Sequence, residues 1–554
     1  MTKKKLFIIA MTSGLLMCLA WADVMLLSPL TLVAFVPLLW VEDYILHNNE
    51  NKQFSSGAVF RYTYLPFLLF AFVNTWWIME ATWIALVVPF FEACFMALVF
   101  QVYHFAKKVA GNTKGAYFYL PLFWILFEYI QFNWDVNFPW LNLGNSFVSY
   151  PFLIQWYSVL GMEGGSLWIL LSNIFIYLWL IKKEKYKPFD FEIENSGKRL
   201  FRQKQEGVFA ILILLLPILW SVYLWYSYKE DNIGKIDVVV VQPNLDPYNE
   251  QYSFSPLQVA RLTQKLATPL MDDNVDYVLM PESSIQEYAW EEEIDSVESI
   301  VVLNRWANRW KKAEIIAGLS SKRMLPKGEK TPAARKLMGS TDEYYESCNI
   351  AVDVPRSGSF DDYQIHHKTI LTVGVEKMPF KKYLSFVENF ALDLGGTIGT
   401  LGIDTNTVIF TSKTSGNKVC AAICYESVDV NYIRKFINKG AQAIFIMTND
   451  GWWGDTKGYK HHFSFAKLRA IENRRYIARS ANTGISGFIN PKGQVIQKTE
   501  YWEEDAIKQS IPLQNSLSFF AKHGDIIMKP FSFFAVLLLI YSLVMNKIKK
   551  QNKG

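Results

Sequence analysis

The spacing of long apolar runs constrains the fold of this chain more than any other feature. Eight runs have about the length, roughly 20 residues, that crosses a bilayer as a helix. They lie at 5–21, 24–41, 61–79, 83–105, 116–132, 162–181, 208–227 and 531–546. Between residues 230 and 530 no such run occurs. The sequence therefore predicts a membrane domain of seven transmembrane helices over 1–229, a separate domain over 230–530, and a last transmembrane helix with a basic tail over 531–554.

Composition excludes several other classes of protein. Hydrophobic residues make up 51% of the chain and charged residues 19%, which is incompatible with intrinsic disorder. Five cysteines in 554 residues are too few for a small disulfide-linked scaffold. The net charge of +5 is too small for a strongly basic nucleic-acid binder, and no Cys/His zinc pattern is present. We therefore expect no nucleic-acid partner.

Basic residues next to the apolar runs predict the orientation in the membrane. The clusters are Lys3–Lys5; Lys107, Lys108 and Lys114; Lys182, Lys183, Lys185, Lys187, Lys198, Arg199, Arg202 and Lys204; and Lys547, Lys549, Lys550 and Lys553. With eight spans, all of them fall on one side, which the positive-inside rule makes the cytoplasm. The domain over 230–530 then lies on the opposite side. Residues 1–22 also have the three regions of a cleaved signal peptide, but the next apolar run starts almost at once, which favours retention.

The domain over 230–530 alternates strand-like and helix-like segments, which favours an α/β fold with helices covering the strands. The predicted strands are Ile236–Gln242, Tyr277–Met280, Ile315–Gly318, Val419–Cys424 and Ala443–Thr448. The predicted helices are Pro256–Leu270, Ser296–Lys311, Val430–Lys439 and His461–Ala478. Sites in such folds cluster at the carboxyl ends of strands, so reactive side chains are expected there.

Three segments of this domain end in groups suited to covalent acyl chemistry. Glu282 follows one strand, Lys368 follows a Tyr/His-rich stretch, and Cys424 ends a third segment. A thiol has a pKa near about 8.5 and needs a base or a cation to become a thiolate. Glu282 is suited to take the proton. Lys368 is suited to stabilise the thiolate and then the oxyanion, together with the backbone N–H of Tyr425.

Each of these residues alone has an ordinary structural interpretation. A single Glu or Lys after a strand is usually a solvated turn residue, and a Cys ending an apolar strand is usually part of the core. Cys420 lies in mid-strand and Cys348 has no partner motif, so both are expected to pack rather than react. A disulfide between them is possible in an oxidising compartment, but nothing in the sequence indicates one.

The order Pro281-Glu282, Lys368 and Cys424-Tyr425-Glu426 resembles the Glu-Lys-Cys triad of the nitrilase, or carbon–nitrogen hydrolase, superfamily. With apolar runs on both sides, the whole chain resembles the apolipoprotein N-acyltransferase family. Further matching segments are Val241–Asn244, Phe138–Trp140, Gly161–Asn173, Thr448–Asp455, His462-Phe463, Arg469–Glu472 and Asn482–Gly484. The resemblance implies an α-β-β-α sandwich for 230–530 in a polytopic protein of the bacterial inner membrane, with this domain on the periplasmic side.

The resemblance also implies an activity. An acyl chain from a membrane phospholipid would pass through a thioester on Cys424 to the N-terminal diacylglyceryl-cysteine amine of an apolipoprotein, the last step of lipoprotein maturation. No cofactor and no metal are expected. Two other interpretations stay open: a membrane-tethered amidase using the same triad with water, and a non-catalytic membrane scaffold carrying an inactive nitrilase fold.

The chain departs from the family after the lysine. The segment Lys368–Glu376 keeps a glutamate but lacks the Pro-Phe pair that the family usually has there, so Glu376 is expected as a second carboxylate. Tyr425 and Glu426 are expected to support the pocket, and Glu426 to help position Lys368. The family also places an aromatic residue after its first strand, for which Tyr248 and Tyr252 are both candidates.

Overall fold

The computed structural model describes residues 2–21, 26–48, 53–111, 114–181, 196–250, 253–356, 360–377 and 400–552. The chain divides into two compact units. The first unit comprises Met1–Ile78, Ala85–Ser227 and Asp525–Gly554, and the second comprises Met79–Ile84 and Tyr228–Gly524. The domain bounds predicted from the apolar runs differ from these units by a few residues and by the short segment Met79–Ile84.

The first unit is helical. Its helices are α1 Lys3–Ala20, α2 Val36–His47, α3 Ala58–Thr75, α4 Val88–Ala110, α5 Tyr119–Asn133, α6 Tyr157–Ile181, α7 Ser196–Ser227 and a C-terminal helix, Met528–Gln551. Among the described residues, five segments are helices long and apolar enough to cross a membrane: Ser28–His47, Ala85–Ala110, Tyr157–Ile181, Gln205–Ser227 and Met528–Gln551. A helical domain with several candidate spans is thus confirmed. The count of eight spans stays a prediction, although α1, α3 and α5 cover three further apolar runs.

A buried charge cluster holds four parts of this unit together. Lys107 Nζ donates to Glu42 Oε2 at 2.6 Å and also to Asp43 Oδ1, and Tyr117 donates to Asp43 Oδ2 at 2.5 Å. We call this group, which also includes His104 and Tyr177, the membrane-unit cluster. The apolar runs predict Lys107 between the fourth and fifth transmembrane helices, a position that the structure corrects. Lys107 lies inside α4, and its side chain is fully buried by these ion pairs.

The second unit contains two β-sheets in the described part of the chain. Its strands are β1 Lys235–Gln242, β2 Val275–Leu279, β3 Ile285–Trp290, β4 Glu314–Met324, β5 Arg335–Lys336, β6 Tyr344–Val354, β7 Gln364–His367, β8 Phe410–Thr411, β9 Lys418–Ile423, β10 Ala443–Thr448, β11 Ile477–Ala481, β12 Gly487–Ile489, β13 Val495–Lys498 and β14 Asp505–Pro512. One sheet has the order β14-β1-β2-β4-β6-β5, with β3 beside β4 and β7 beside β6. The other has the order β13-β12-β11-β10-β9-β8.

The two sheets pack face to face, with helices on their outer faces. The helices of this unit are α8 Pro256–Ala267, α9 Glu298–Ala307, α10 Val430–Asn438, α11 Lys457–Asn473 and α12 Phe519–His523. Alternate residues of β1 and β9, such as Val238 and Ala421, meet in one buried core between the sheets. Val239 of β1 packs with α8 and α9 in a second core, and Ala422 of β9 packs with α10 and α11 in a third. Because strand side chains alternate between faces, each sheet is buried on both sides, and the predicted α-β-β-α sandwich is confirmed.

One helix ends earlier than the sequence predicts. The helix expected to run to Ala478 ends at Asn473, because Arg474 takes the left-handed conformation at φ 52°. Ile477 then pairs in parallel with Ile444 as the start of β11. The apolar residues after the helix therefore belong to a buried strand rather than to a continued helix face.

Candidate active site

Cys424 occupies a sharp turn directly after β9. It is the first residue of a 3₁₀ turn, Cys424–Ser427, and its φ of 49° is left-handed. A non-glycine residue seldom adopts that conformation, and such strain tends to persist at functional sites. The turn is held by side chains: Ser427 Oγ donates to the Cys424 carbonyl at 2.7 Å, and His462 Nε2 lies 3.2 Å from the same oxygen.

Glu426 ties this turn to the segment that carries Lys368. Its carboxylate accepts hydrogen bonds from the backbone N–H of Ile423 at 2.8 Å and of Thr369 at 2.6 Å. His366 Nε2 lies 3.1 Å from the same carboxylate. Glu426 is fully buried and contacts the chain beside Lys368 rather than the ammonium group. It is therefore placed to align the ends of β7 and β9.

Lys368 lies between two carboxylates. Its Nζ donates to Glu282 Oε1 at 2.7 Å and to Glu376 Oε1 at 2.8 Å, and the side chain is 1% exposed. Glu376 is held in turn by the backbone N–H of Thr372, which donates to Oε2 at 2.8 Å. The structure thus brings together Glu282, which follows β2, Lys368, which follows β7, and the second carboxylate expected from the sequence. We call Glu282, Lys368 and Glu376 the lysine cluster.

The charges of this cluster act on Cys424. Burial alone would lower the pKa of the Lys368 ammonium, but Glu282 and Glu376 outweigh it and raise that pKa well above its ordinary value. Burial raises the pKa of the Cys424 thiol, the Glu282 carboxylate raises it further, and Lys368 partly opposes both. These shifts favour the neutral form of the thiol and the charged form of the lysine, with the Glu282 carboxyl group beside them, which is an arrangement suited to general-base activation of a nucleophile.

Sequence reasoning missed Asn349, which contacts both carboxylates of the lysine cluster. Its Nδ2 donates to Glu282 Oε1 at 2.9 Å and to Glu376 Oε1 at 3.3 Å. Asn349 lies in β6, where the next residue, Ile350, pairs with His367 of β7. Only that antiparallel register brings Asn349 next to Lys368, so no local pattern in the sequence marks it.

A second network, of buried hydrogen bonds and ion pairs, contacts the turn at Cys424 through His462. His462 Nδ1 lies 2.8 Å from Asp450 Oδ1, and Arg479 Nη2 donates to Asp450 Oδ2 at 2.7 Å. Thr448 Oγ1 donates to Asp450 Oδ1 at 2.9 Å. Burial alone would raise the pKa of Asp450, but Arg479 and His462 hold it well below its usual range. The matching segments around Thr448–Asp455 and His462 thus converge on the turn at Cys424.

Two sequence families match this chain, one in each unit. Residues 13–175 match the apolipoprotein N-acyltransferase N-terminal domain. Residues 238–517 match carbon–nitrogen hydrolase. The chain belongs to the carbon–nitrogen hydrolase family. The additional N-terminal match makes it a member of the apolipoprotein N-acyltransferase family within that larger group, which confirms the family predicted from the sequence.

Curated relatives extend over nearly the whole length of this family member. The apolipoprotein N-acyltransferase of Chlorobaculum tepidum is 27% identical over 538 residues, covering 94% of this chain and 94% of the relative. That of Geobacter metallireducens is 24% identical, covering 94% of this chain and 92% of the relative. Among solved structures, Saccharomyces cerevisiae Nit3, a member of branch 10 of the nitrilase superfamily, aligns with 54% of this chain and 99% of its own at 17% identity and a TM-score of 0.36.

Of the two aromatic candidates after the first strand of the hydrolase domain, the structure describes Tyr248. Its hydroxyl donates to the carbonyls of Glu80 and Trp452 at 2.8 and 2.9 Å, and its ring meets Trp452 edge to face at 5.2 Å. Tyr252 lies outside the described residues. Tyr248 thus joins the segment Met79–Ile84 to the loop after β10.

The remaining cysteines of the hydrolase domain lie apart from the lysine cluster. Cys348 and Cys420 are both free thiols and belong to cores on opposite outer faces of the sandwich, so they do not pair. Cys348 lies near Glu291 and His367, and the ligand atoms of these three residues are within 4.8 Å of one another. His367 Nε2 is 3.0 Å from both oxygens of Glu291, so the imidazole and the carboxyl group are within hydrogen-bond distance.

Proposed function

We propose that this chain transfers an acyl chain from a membrane phospholipid, through a thioester on Cys424, to the N-terminal diacylglyceryl-cysteine amine of apolipoproteins. The observation that carries the proposal is the buried Lys368, held between Glu282 and Glu376 next to a strained thiol turn. That geometry supplies a base, a cation and a nucleophile in one place. Membership of the apolipoprotein N-acyltransferase family supports the choice of acyl acceptor.

In the first half-reaction, Cys424 Sγ attacks the ester carbonyl of the phospholipid while Glu282 takes the thiol proton. Lys368 and the backbone N–H of Tyr425 stabilise the oxyanion of the tetrahedral intermediate. When that intermediate collapses, the C–O ester bond breaks. Glu282 returns the proton to the leaving oxygen, and a lysophospholipid departs. The acyl chain remains on Cys424 as a thioester.

In the second half-reaction, the α-amino group of the acceptor attacks the thioester carbonyl. Such an amine has a pKa of about 8, so Glu282 needs to remove a proton only as the C–N bond forms. The C–S bond then breaks, and Glu282 passes the proton to the departing thiolate of Cys424. The products are an amide on the acceptor and the regenerated thiol.

The supporting residues act on the shape of the site in this proposal. Glu376 holds the Lys368 ammonium as a second carboxylate besides Glu282, and Glu426 fixes the backbone at both Thr369 and Ile423. A membrane-tethered amidase would use the same triad with water in place of the amine. The match to the N-terminal domain of apolipoprotein N-acyltransferases favours transfer over hydrolysis.

We also propose an orientation in the bacterial inner membrane: eight spans, both termini in the cytoplasm, and residues 230–530 on the periplasmic side. The support is the distribution of basic residues, although Lys107 is now better assigned to the interior of the first unit. Fusion reporters at Glu194 and Ser340 should give opposite signals. Equal signals would overturn the eight-span arrangement.

The decisive experiment on function uses purified protein and phospholipid without an acceptor. One acyl chain should accumulate on Cys424 as a hydroxylamine-sensitive thioester, seen by intact-protein mass spectrometry. A diacylated lipopeptide with a free N-terminal amine should then discharge the acyl chain onto itself, and its N-acetylated counterpart should not. Steady release of fatty acid without an adduct would favour the hydrolase interpretation.

A further inference from the structure

The two oxygens of the Glu282 carboxylate have different surroundings. Oε1 accepts hydrogen bonds from Lys368 Nζ at 2.7 Å and from Asn349 Nδ2 at 2.9 Å. Both donors that the described residues offer to this carboxylate bind Oε1, and neither binds Oε2. One oxygen is therefore committed to two donors, while the other is available to a proton.

Asn349 contacts the lysine cluster through both its side chain and its backbone. Its Nδ2 bridges Oε1 of Glu282 and Oε1 of Glu376, the same two oxygens that Lys368 bridges. Its carbonyl accepts the backbone N–H of Lys368 at 2.9 Å. Asn349 is 5% exposed, so these contacts are made in a largely dry environment, where hydrogen bonds to a charged group are strong.

The side-chain oxygen of Asn349, Oδ1, indicates the role of this residue. Within the described part of the chain, its Oδ1 is buried and has no hydrogen-bond partner. Leaving a buried acceptor unsatisfied costs free energy, so a residue that served only to fill space here would be better replaced by an apolar one. What Asn349 provides is the pair of N–H donors that face the two carboxylates.

We propose that Asn349 is a positioning residue: together with Lys368 it holds Oε1 of Glu282 and so leaves Oε2 as the oxygen that exchanges the proton with Cys424. The inference rests on the function proposed above, because it assigns the base its reactive oxygen. Without Asn349, the Glu282 carboxylate can rotate about its last torsion and present either oxygen to Lys368. Small errors in the placement of a catalytic group cost large factors in rate.

The predicted signature is a change in the pH profile. Hydrogen bonds to a carboxylate favour its ionised form, so removing a donor makes the base easier to protonate. The groups facing Glu282 are Asn349 from β6, Lys368 after β7, Glu376 and Cys424 after β9. In Asn349→Leu, which has nearly the same shape but no donor, the acid limb should therefore move to higher pH. In Asn349→Asp, which adds a negative charge, it should move further.

The test measures single-turnover formation of the Cys424 thioester from phospholipid across pH, normalised to folded protein. Asn349→Leu should lower the rate about 10- to 100-fold, with the KM for phospholipid changed less than about threefold. The matched control is Asn473→Leu. Asn473 is also a buried asparagine, and within the described residues its Oδ1 has no partner and its Nδ2 donates only to the carbonyl of Arg469. The control should keep both the rate per folded molecule and the acid limb of the wild type.

An unmoved acid limb in Asn349→Leu, with a loss of activity no larger than the loss of folded protein, would overturn the inference. If that variant does not fold, Asn349→Asp carries the same test, since it matches asparagine in size and polarity. A failure of the proposed function looks different. In that case the wild type itself would form no thioester, or Cys424→Ala would still be labelled.

Discussion

Lys107 in the first unit and Lys368 in the second are each buried between two carboxylates. Lys107 Nζ contacts Glu42 and Asp43, and Lys368 Nζ contacts Glu282 and Glu376. Both lysines are at most 1% exposed. A buried charge is tolerated only when it is paired and hydrogen-bonded, and each unit meets that requirement with the same arrangement.

The two clusters differ in whether every carboxylate oxygen has a hydrogen-bond partner. In the membrane-unit cluster all four carboxylate oxygens have partners: His104 and Lys107 at Glu42, and Lys107, Tyr117 and Tyr177 at Asp43. In the lysine cluster, the donors found for Glu282 among the described residues both bind Oε1 and leave Oε2 without one, and the Cys424 thiol lies within the field of the charges. We propose that the saturated cluster stabilises the packing of the helices and that the unsaturated one takes part in the chemistry.

The largest effect should come from removing the thiol. Cys424→Ala should lower acyl transfer by at least about 1,000-fold, because the covalent route is lost. Folding should be nearly unchanged, since little volume is removed. Mass spectrometry of a diacylated lipopeptide should show no third acyl chain. Cys420→Ala is the control, because Cys420 is buried in β9, the strand that leads to Cys424, but packs in the core on the other face of the sheet, and this variant should retain most activity. Acyl transfer by Cys424→Ala would disprove the catalytic assignment.

Replacing Lys368 in the lysine cluster should lower acyl transfer nearly as much as replacing Cys424. Lys368→Met should reduce acyl transfer by about 100- to 1,000-fold per folded molecule, because the oxyanion loses its charged donor. Lys368→Arg should not restore the rate, since a planar guanidinium does not replace a compact ammonium between two carboxylates. The rate of thioester formation from phospholipid measures both. Near-normal rates in either variant would break the contrast between the clusters.

The same substitution at the other lysine should act on stability instead. Lys107→Met leaves Glu42 and Asp43 buried without a cation, which should destabilise the first unit by about 3–5 kcal/mol. Thermal unfolding in detergent should show a lower midpoint. The acyl-transfer rate of the fraction that remains folded should stay within about threefold of the wild type. A loss of that rate with an unchanged midpoint would show that the membrane-unit cluster takes part in the chemistry.

The smallest effect should come from removing one hydrogen-bond donor from the membrane-unit cluster. Tyr117→Phe removes the hydroxyl that donates to Asp43 and should cost about 1.5–3 kcal/mol of stability, as expected for a hydrogen bond to a charged group. Activity should not change. Tyr44→Phe is a suitable control because Tyr44 lies on α2 next to Asp43 but outside the cluster. Equal unfolding midpoints for the two variants would mean that the Tyr117 hydroxyl contributes little to the stability of the membrane-unit cluster.

Much of the fold follows from local patterns in the chain. Runs of apolar residues predict the helices of the first unit, and short β-branched runs predict β1, β2, β9 and β10 close to their observed bounds, whereas β4 was predicted only for Ile315–Gly318 and runs on to Met324. Strands such as β6, β7 and β12 were not predicted, because their polar and aromatic residues lack a clear period. The end of α11 was predicted too late, since apolar residues of a buried strand look the same as those of a helix face.

The sequence by itself determined that Glu282, Lys368 and Cys424 are the candidates for chemistry, because each follows a recognisable segment and their order resembles a known triad. Only the tertiary structure decided the partners of these residues. Glu282 and Lys368 are 86 residues apart, Asn349 and Glu282 are 67 apart, and Lys107 and Glu42 are 65 apart. Contacts at such separations depend on sheet register and helix packing. The same residue type, a lysine near an apolar segment, therefore became a structural lock at 107 and part of the candidate active site at 368.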